Sequence, residues 1–330
     1  MKFIITVDTE ADDQWSGNGR ISVANIRHLS RFQSLCEEYG FRPSYLAAWE
    51  VLEDRESRET LRKWQKKGTA EIGAHLHPWT TPPFTEEEQK DPRVRSLPCE
   101  LDDEVLDQKL THLTERLTEE FHQPPEGFRA GRWGLDGRLV SHLVRLGYLA
   151  DCSVTPKLSW KETMGRRAGT GGPDFRLAPV RPYTPSHEDV CRPGAGGLLE
   201  VPATILYTGL LVREESAAAR WFSVLPEGPM KRMLDRLVFR RRWLRIEPWS
   251  RRRDWADIYR AAERNDLDVL EFMIHSSELM PGGSPLSKAP QSVEWIYGLM
   301  TDLFRDYRAR GVEGIALGEY ARSHSTLHGR

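Results

Sequence analysis

His75 and His77 sit two residues apart at the end of the run Glu71-Ile72-Gly73-Ala74-His75-Leu76-His77-Pro78-Trp79. In an extended chain, residues i and i+2 point to one face, so both imidazoles can converge on one point. A divalent metal is the group that suits them, and Pro78 ends the extended run directly afterwards. A catalytic zinc set commonly joins two His to one carboxylate and leaves positions open for water and substrate. Glu10 and Asp12 are the candidates for that carboxylate, since both share the face of Asp8 if the first strand continues. The chemistry this suggests is metal-assisted hydrolysis. The ion would lower the pKa of water and polarise a carbonyl, a nearby carboxylate would act as base, and a His across the site would protonate the leaving group.

Such groups need elements that deliver them to one place. Short apolar, β-rich runs at 3–7, 45–48, 69–74, 127–131, 148–152, 198–204, 267–274 and 314–317 read as strands. Between them lie helical stripes. Ile26, Leu29, Phe32, Cys36 and Tyr39 end at Gly40, Leu61 and Trp64 stop at Gly68, and Leu106, Leu110, Leu113, Leu117 and Phe121 form the clearest stripe. Further helices are expected at 137–147, across Met230, Met233, Leu234, Leu237 and Val238, and at 292–310. Strands alternating with helices imply parallel βα units, here seven or eight, in one α/β barrel covering residues 1–330.

Two stretches break the alternation. Residues 82–98 form a Pro-rich, acidic excursion, and about 155–197 form a long Gly- and Pro-rich insertion, too long for a plain connection and suited to covering a site. In a βα barrel the carboxyl ends of the strands share one rim, where active sites form. Asp8, His75, His77, Arg129, Asp151 and His275 all fall at or near such ends. Singly, an Asp there is commonly a helix cap and an Arg a salt-bridge partner; six on one rim is not what those roles supply.

Composition narrows the classes. With 47 basic and 49 acidic residues the net charge of −2 argues against a general nucleic-acid binder. No apolar run approaches the ~20 residues of a membrane span, and the first residues lack a signal-peptide cleavage pattern. The four cysteines, Cys36, Cys99, Cys152 and Cys191, form no close pairs and read as reduced thiols of a cytoplasmic protein. A basic run across 231–253 reads first as a solvated helix face, and second as a weak contact with anionic lipid or a phosphorylated sugar carrier.

The motifs, in order, resemble those of the NodB-homology polysaccharide deacetylases of the glycoside hydrolase/deacetylase superfamily. Val7-Asp8-Thr9-Glu10 looks like the first motif, His75 and His77 the second, Phe128-Arg129-Ala130-Gly131 the third, Asp151-Cys152-Ser153 the fourth and Ile274-His275-Ser276-Ser277-Glu278 the fifth. The resemblance implies a distorted (β/α)7 barrel, Asp8 as base, Glu10 with His75 and His77 as metal ligands (Asp12 the alternative), Arg129 holding the base, and Asp151 orienting the acid His275. Three positions depart from the family pattern. The two His are two rather than four residues apart with Trp79 where the second would stand, Glu10 replaces the usual Asp, and Arg132-Trp133 replaces a Pro and an aromatic residue.

The implied function is zinc-dependent removal of an acetyl group from an N-acetylated sugar in surface polysaccharide or glycolipid synthesis. Trp15, Trp79, Trp133 and Trp160 offer faces for sugar rings. The alternatives are a glycosidase using Asp8 and Glu278, a non-sugar amide hydrolase on the same barrel, and an inactive carbohydrate-binding protein.

Overall fold

The computed structural model describes residues 1–12, 21–163, 170–195, 197–210 and 212–328, with side chains up to residue 324. Trp15 and residues 164–169 of the insertion lie outside the described residues. The strands are β1 (Lys2–Thr9), β2 (Ser44–Ala47), β3 (Glu71–Leu76), β4 (Gly127–Ala130), β5 (Ala150–Asp151), β6 (Leu199–Glu200), β7 (Ile205–Tyr207), β8 (Arg241–Trp243), β9 (Val269–His275) and β10 (Glu313–Gly314). The helices are α1 (Leu29–Glu38), α2 (Trp49–Glu53), α3 (Arg55–Lys67), α4 (Glu86–Lys90), α5 (Asp103–Phe121), α6 (Gly137–Arg145), α7 (Ala217–Val224), α8 (Pro229–Leu234), α9 (Arg252–Arg264), α10 (Pro290–Ala309) and α11 (Leu317–His328).

Seven strands pair in parallel in the order β9-β1-β2-β3-β4-β5-β6, and the short β10 pairs with the start of β1. This is a distorted (β/α)7-type barrel, as expected. Among the described residues no ladder joins β6 to β9. On that side of β9 the amide of Glu271 donates to Thr204 Oγ1 at 2.8 Å, four residues past β6.

Alternation along β1 explains where the core and the site lie. Phe3, Ile5 and Val7 pack into the large core beneath the helices. Ile4, on the other face, joins a smaller core with Leu46, Ala150, Leu199, Val269 and Leu317. Further along that inner face come Thr6, Asp8 and Glu10, all buried. The same strand therefore carries apolar side chains to the helices and acids to the barrel mouth. Helix ends follow local chemistry. Asp54 accepts from the Ser57 amide at 2.8 Å to start α3, and Gly68 at φ 75° ends it.

Several elements differ from the expectation. The strand expected at 198–204 is formed only at Leu199–Glu200, and the chain then enters an antiparallel pair, β7 with β8. The helical face at 230–238 splits into α8 and a wide turn at Asp235–Phe239, with Met230 57% and Leu237 69% exposed. Helix α9 was not expected at all. It buries Trp255, Ile258, Tyr259, Ala261 and Ala262 on one side. The described part of the insertion holds only isolated bridges, Ser159 with Asp174, Tyr183 with Glu200 and Pro185 with Pro193.

Candidate active site

Glu10, His75 and His77 converge at the barrel mouth and are all buried. Glu10 Oε2 lies 3.5 Å from His75 Nε2 and 3.3 Å from His77 Nε2. Zinc–nitrogen bonds of about 2.0–2.1 Å in a tetrahedron place ligand atoms roughly 3.3 Å apart, so this donor set fits such an ion. The amide of Glu10 donates to Ser276 Oγ at 3.1 Å, and Asn25 Nδ2 donates to the Glu10 carbonyl at 2.9 Å. His75 Nδ1 lies 3.0 Å from the Arg129 carbonyl, which can only accept. Nδ1 therefore carries the proton and Nε2 turns its lone pair to the site, the usual outer support of a ligating His. His77 stacks on Trp79, centroids 4.2 Å apart.

The charges sort the two rings. Burial holds His77 well below its ordinary pKa, helped by repulsion from His75, His275, Arg93 and Arg132. His75 is pushed up despite burial, because Asp8 and Glu10 press negative charge against it. Two buried carboxylates beside two imidazoles form a place that attracts a cation.

Room for His77 comes from a glycine. A Cβ on Gly131 would fall 2.4 Å from His77 Cδ2. The chain then turns sharply, and Arg132 and Trp133 adopt φ of 51° and 64°.

Asp8 accepts from Arg129 Nη1 at 2.6 Å, and its other oxygen lies 3.7 Å from His275 Nε2. Burial opposes ionisation of Asp8, but Arg129, with His75 and His275, outweighs it and lowers the pKa. Arg129 is itself buried. Its Nη2 donates to Glu271 Oε1 at 2.7 Å and its Nε to the Cys152 carbonyl at 3.0 Å. His275 Nδ1 faces Glu278 Oε2 at 3.5 Å, and Glu278 Oε1 accepts from Arg245 Nη2 at 2.9 Å. Burial would raise Glu278, yet Arg245 and His275 bring it down to about 2. His275 is raised against burial by Glu278 first, then Glu10 and Asp8.

Two expectations change here. Asp12 is not beside the histidines. Its carboxylate accepts from the amides of Ala24 and Asn25 at 3.1 and 2.8 Å and starts the 3₁₀ turn at Ala24–His28. Asp151 does not stand behind His275. It accepts from Ser153 Oγ at 2.7 Å and lies against Glu200, a second buried acid, while the carboxylate behind His275, at Nδ1, is Glu278. Burial raises both Asp151 and Glu200, and the neighbouring charge of Asp151 adds to the rise at Glu200.

Arg129, Glu271 and Arg245 complete the arrangement, and only the first was expected. Glu271 had a signal, an acid inside the apolar strand Val269–His275. Glu278 had one too, three residues after His275, where its side chain returns to the His275 amide at 2.9 Å.

The centre opens into a cleft of about 570 Å³ whose walls include Trp79, Trp133, Trp160, Arg93, Arg132 and Arg245. Trp133 and Trp160 stack at 6.2 Å. Trp160 comes from the described part of the insertion. None of the four cysteines is in a disulfide, and no described helix is long and apolar enough to cross a membrane.

No family model matches the sequence, and no curated protein matches it. Solved structures do match in shape. A candidate glycoside hydrolase/deacetylase from Parabacteroides distasonis aligns with 99% of this chain and 72% of its own at TM-score 0.61 and 14% identity. A candidate polysaccharide deacetylase from Mycobacterium smegmatis aligns with 98% of this chain and 91% of its own at TM-score 0.54 and 14% identity. An allantoinase aligns with 100% and 91% at TM-score 0.52 and 13% identity. The chain has the polysaccharide deacetylase fold of the NodB type.

Proposed function

We propose that this chain is a zinc-dependent deacetylase of an N-acetylated sugar, acting in the cytoplasm in the synthesis of a surface polysaccharide or glycolipid. The observation that carries this reading is the buried Glu10–His75–His77 set with Asp8 and His275 beside it. A divalent ion held there would polarise the acetyl carbonyl and make water acidic at neutral pH. Asp8, kept ionised by Arg129, takes the proton from the attacking water. His275, kept protonated by Glu278, gives a proton to the departing amine. Trp79, Trp133 and Trp160 support a sugar over a smaller amide. Trp160 and Thr163, from the described part of the insertion at 155–197, line the cleft, which supports the insertion as its wall, and shortening the insertion should raise KM.

Glu278 is unsuited to be a glycosidase acid, because that role needs a raised pKa and Glu278 is held down to about 2. A non-sugar amide hydrolase is the second reading, favoured by the allantoinase of the same fold. An acetate-release screen on N-acetyl sugars, with metal analysis and chelation, tests the proposal. Release that stops with chelator and returns with zinc supports it. Turnover of cyclic or ureido amides with no acetate from any sugar would favour the second reading.

The basic run at 231–253 supports at most a weak membrane contact. Arg240, Arg242, Arg245 and Arg252 are held by Asp257, Asp254, Glu278 and Asp302. Arg232 and Arg236 are exposed beside Met230, Met233 and Leu237. Salt-sensitive co-sedimentation with anionic but not neutral vesicles is the expected result.

A further inference from the structure

Two departures from the family motifs, Trp79 and Arg132-Trp133, line the same cleft, together with Arg93. Arg93 lies over the Trp79 indole, 5.1 Å from its centroid. Arg132 is steadied by Ser96 Oγ. Glu100 attracts Arg132, but Glu100 Oε2 already accepts from the amides of Ser96 and Leu97 at 3.0 and 3.2 Å. Among the described residues no carboxylate reaches Arg132 within ion-pair distance, whereas nearby Arg95 meets Asp102 at 2.7 Å. Arg132 keeps an exposed side chain, and desolvation of its inner part, with the like charge of Arg93, works against the cation. The backbone of Arg132 and Trp133 is also in the left-handed region, which side chains other than glycine rarely adopt and which gathers at functional sites. Arg93 and Arg132 thus line one cleft with His77, and the turn that presents Arg132 there carries a conformational cost.

We infer that this wall is an anion subsite, in which Arg93 and Arg132 receive a phosphoryl or carboxylate group carried by the amino-sugar substrate while Trp79 and Trp133 flank the ring. The sugar's identity as an acetylated substrate rests on the deacetylase reading; the anion does not. Guanidinium forks match both oxyanions in two-point geometry, which a neutral sugar hydroxyl cannot exploit as strongly. Arg245 stands behind His275 with Glu278 and belongs to that side of the cleft.

The test compares kcat/KM of the full chain on N-acetylglucosamine, N-acetylglucosamine 1-phosphate and an N-acetylated amino-sugar uronate, with calorimetric binding of the same three. At least one anionic sugar should be preferred by about tenfold or more, the size of one charge-assisted contact. Arg132→Gln and Arg93→Gln should each pull that ratio towards one, and Arg132→Lys should restore part of it. The arm that shows the preference identifies phosphate or carboxylate. Equal use and equal binding of all three sugars would overturn the subsite. So would a preference that survives both Gln variants, as it would if phosphate bound a metal directly. Arg-dependent binding of an anionic sugar without acetate release would leave the subsite standing and remove the deacetylase reading instead.

Discussion

Asp8 and His275 face each other at 3.7 Å, and each is backed by an arginine and a carboxylate arranged in opposite order. Behind Asp8 the arginine comes first. Arg129 touches Asp8 and then Glu271, and all three are sealed in the barrel. Behind His275 the carboxylate comes first. Glu278 faces the ring, and Arg245 reaches it from the edge of the cleft with 17% of its side chain exposed. The order decides the protonation state: an arginine next to an acid keeps it charged, and an acid next to an imidazole keeps its proton. Burial decides how much of the fold depends on each arrangement.

The largest contrast is expected in stability. Arg129→Met leaves Asp8 and Glu271 buried without a cation and should cost about 3–5 kcal/mol. Arg245→Met, nearer water, should cost well under half of that. Denaturant titration of both variants checks this, and equal losses would break the comparison. Next comes chemistry. His275→Ala and Asp8→Asn should each lower kcat by roughly 10²- to 10⁴-fold with metal content unchanged. A His275→Ala variant with wild-type kcat would remove that residue as the acid.

The third effect is a shift rather than a loss. His275 must be protonated to act, and its folded pKa is raised above the ordinary value of 6.5, so activity should fall as pH rises through that raised value. Glu278→Gln removes the main raising influence and should move this basic limb to lower pH, read from kcat profiles. The smallest effect sharpens the reassignment of Asp151. Asp151→Asn should leave the basic limb where it is, because its neighbours are Ser153 and Glu200.

Much of this centre was legible because alternation carries information across short distances. Glu10 follows Asp8 by two and His77 follows His75 by two, so sharing a face needed only an extended chain. Strand ends at 8, 75, 129 and 275 needed only the parallel barrel. Asp12 misled because β1 ends at Thr9 and the chain turns at Asp12, so the period of two carries one residue past the strand, to Glu10, and no further. Asp151 misled because its partner Glu200 lies 49 residues on, across the insertion, and only the fold brings the two acids together. Arg245 was hidden just after β8, a three-residue strand whose arginines, Arg241 and Arg242, resemble a solvated run. Helix α9 was readable in Trp255, Ile258, Tyr259 and Ala262, but the arginines around it drew the eye to charge.

The open seam between β6 and β9 has a kinetic consequence. The amide of Glu271 points across that gap and is held by one side-chain hydroxyl, Thr204, rather than by a neighbouring strand. Residues of β1 are flanked by β9 on one side and by β2 on the other. In deuterated solvent, Glu271 should therefore exchange through brief local parting of the seam, while the centre of β1 waits for the whole barrel to unfold.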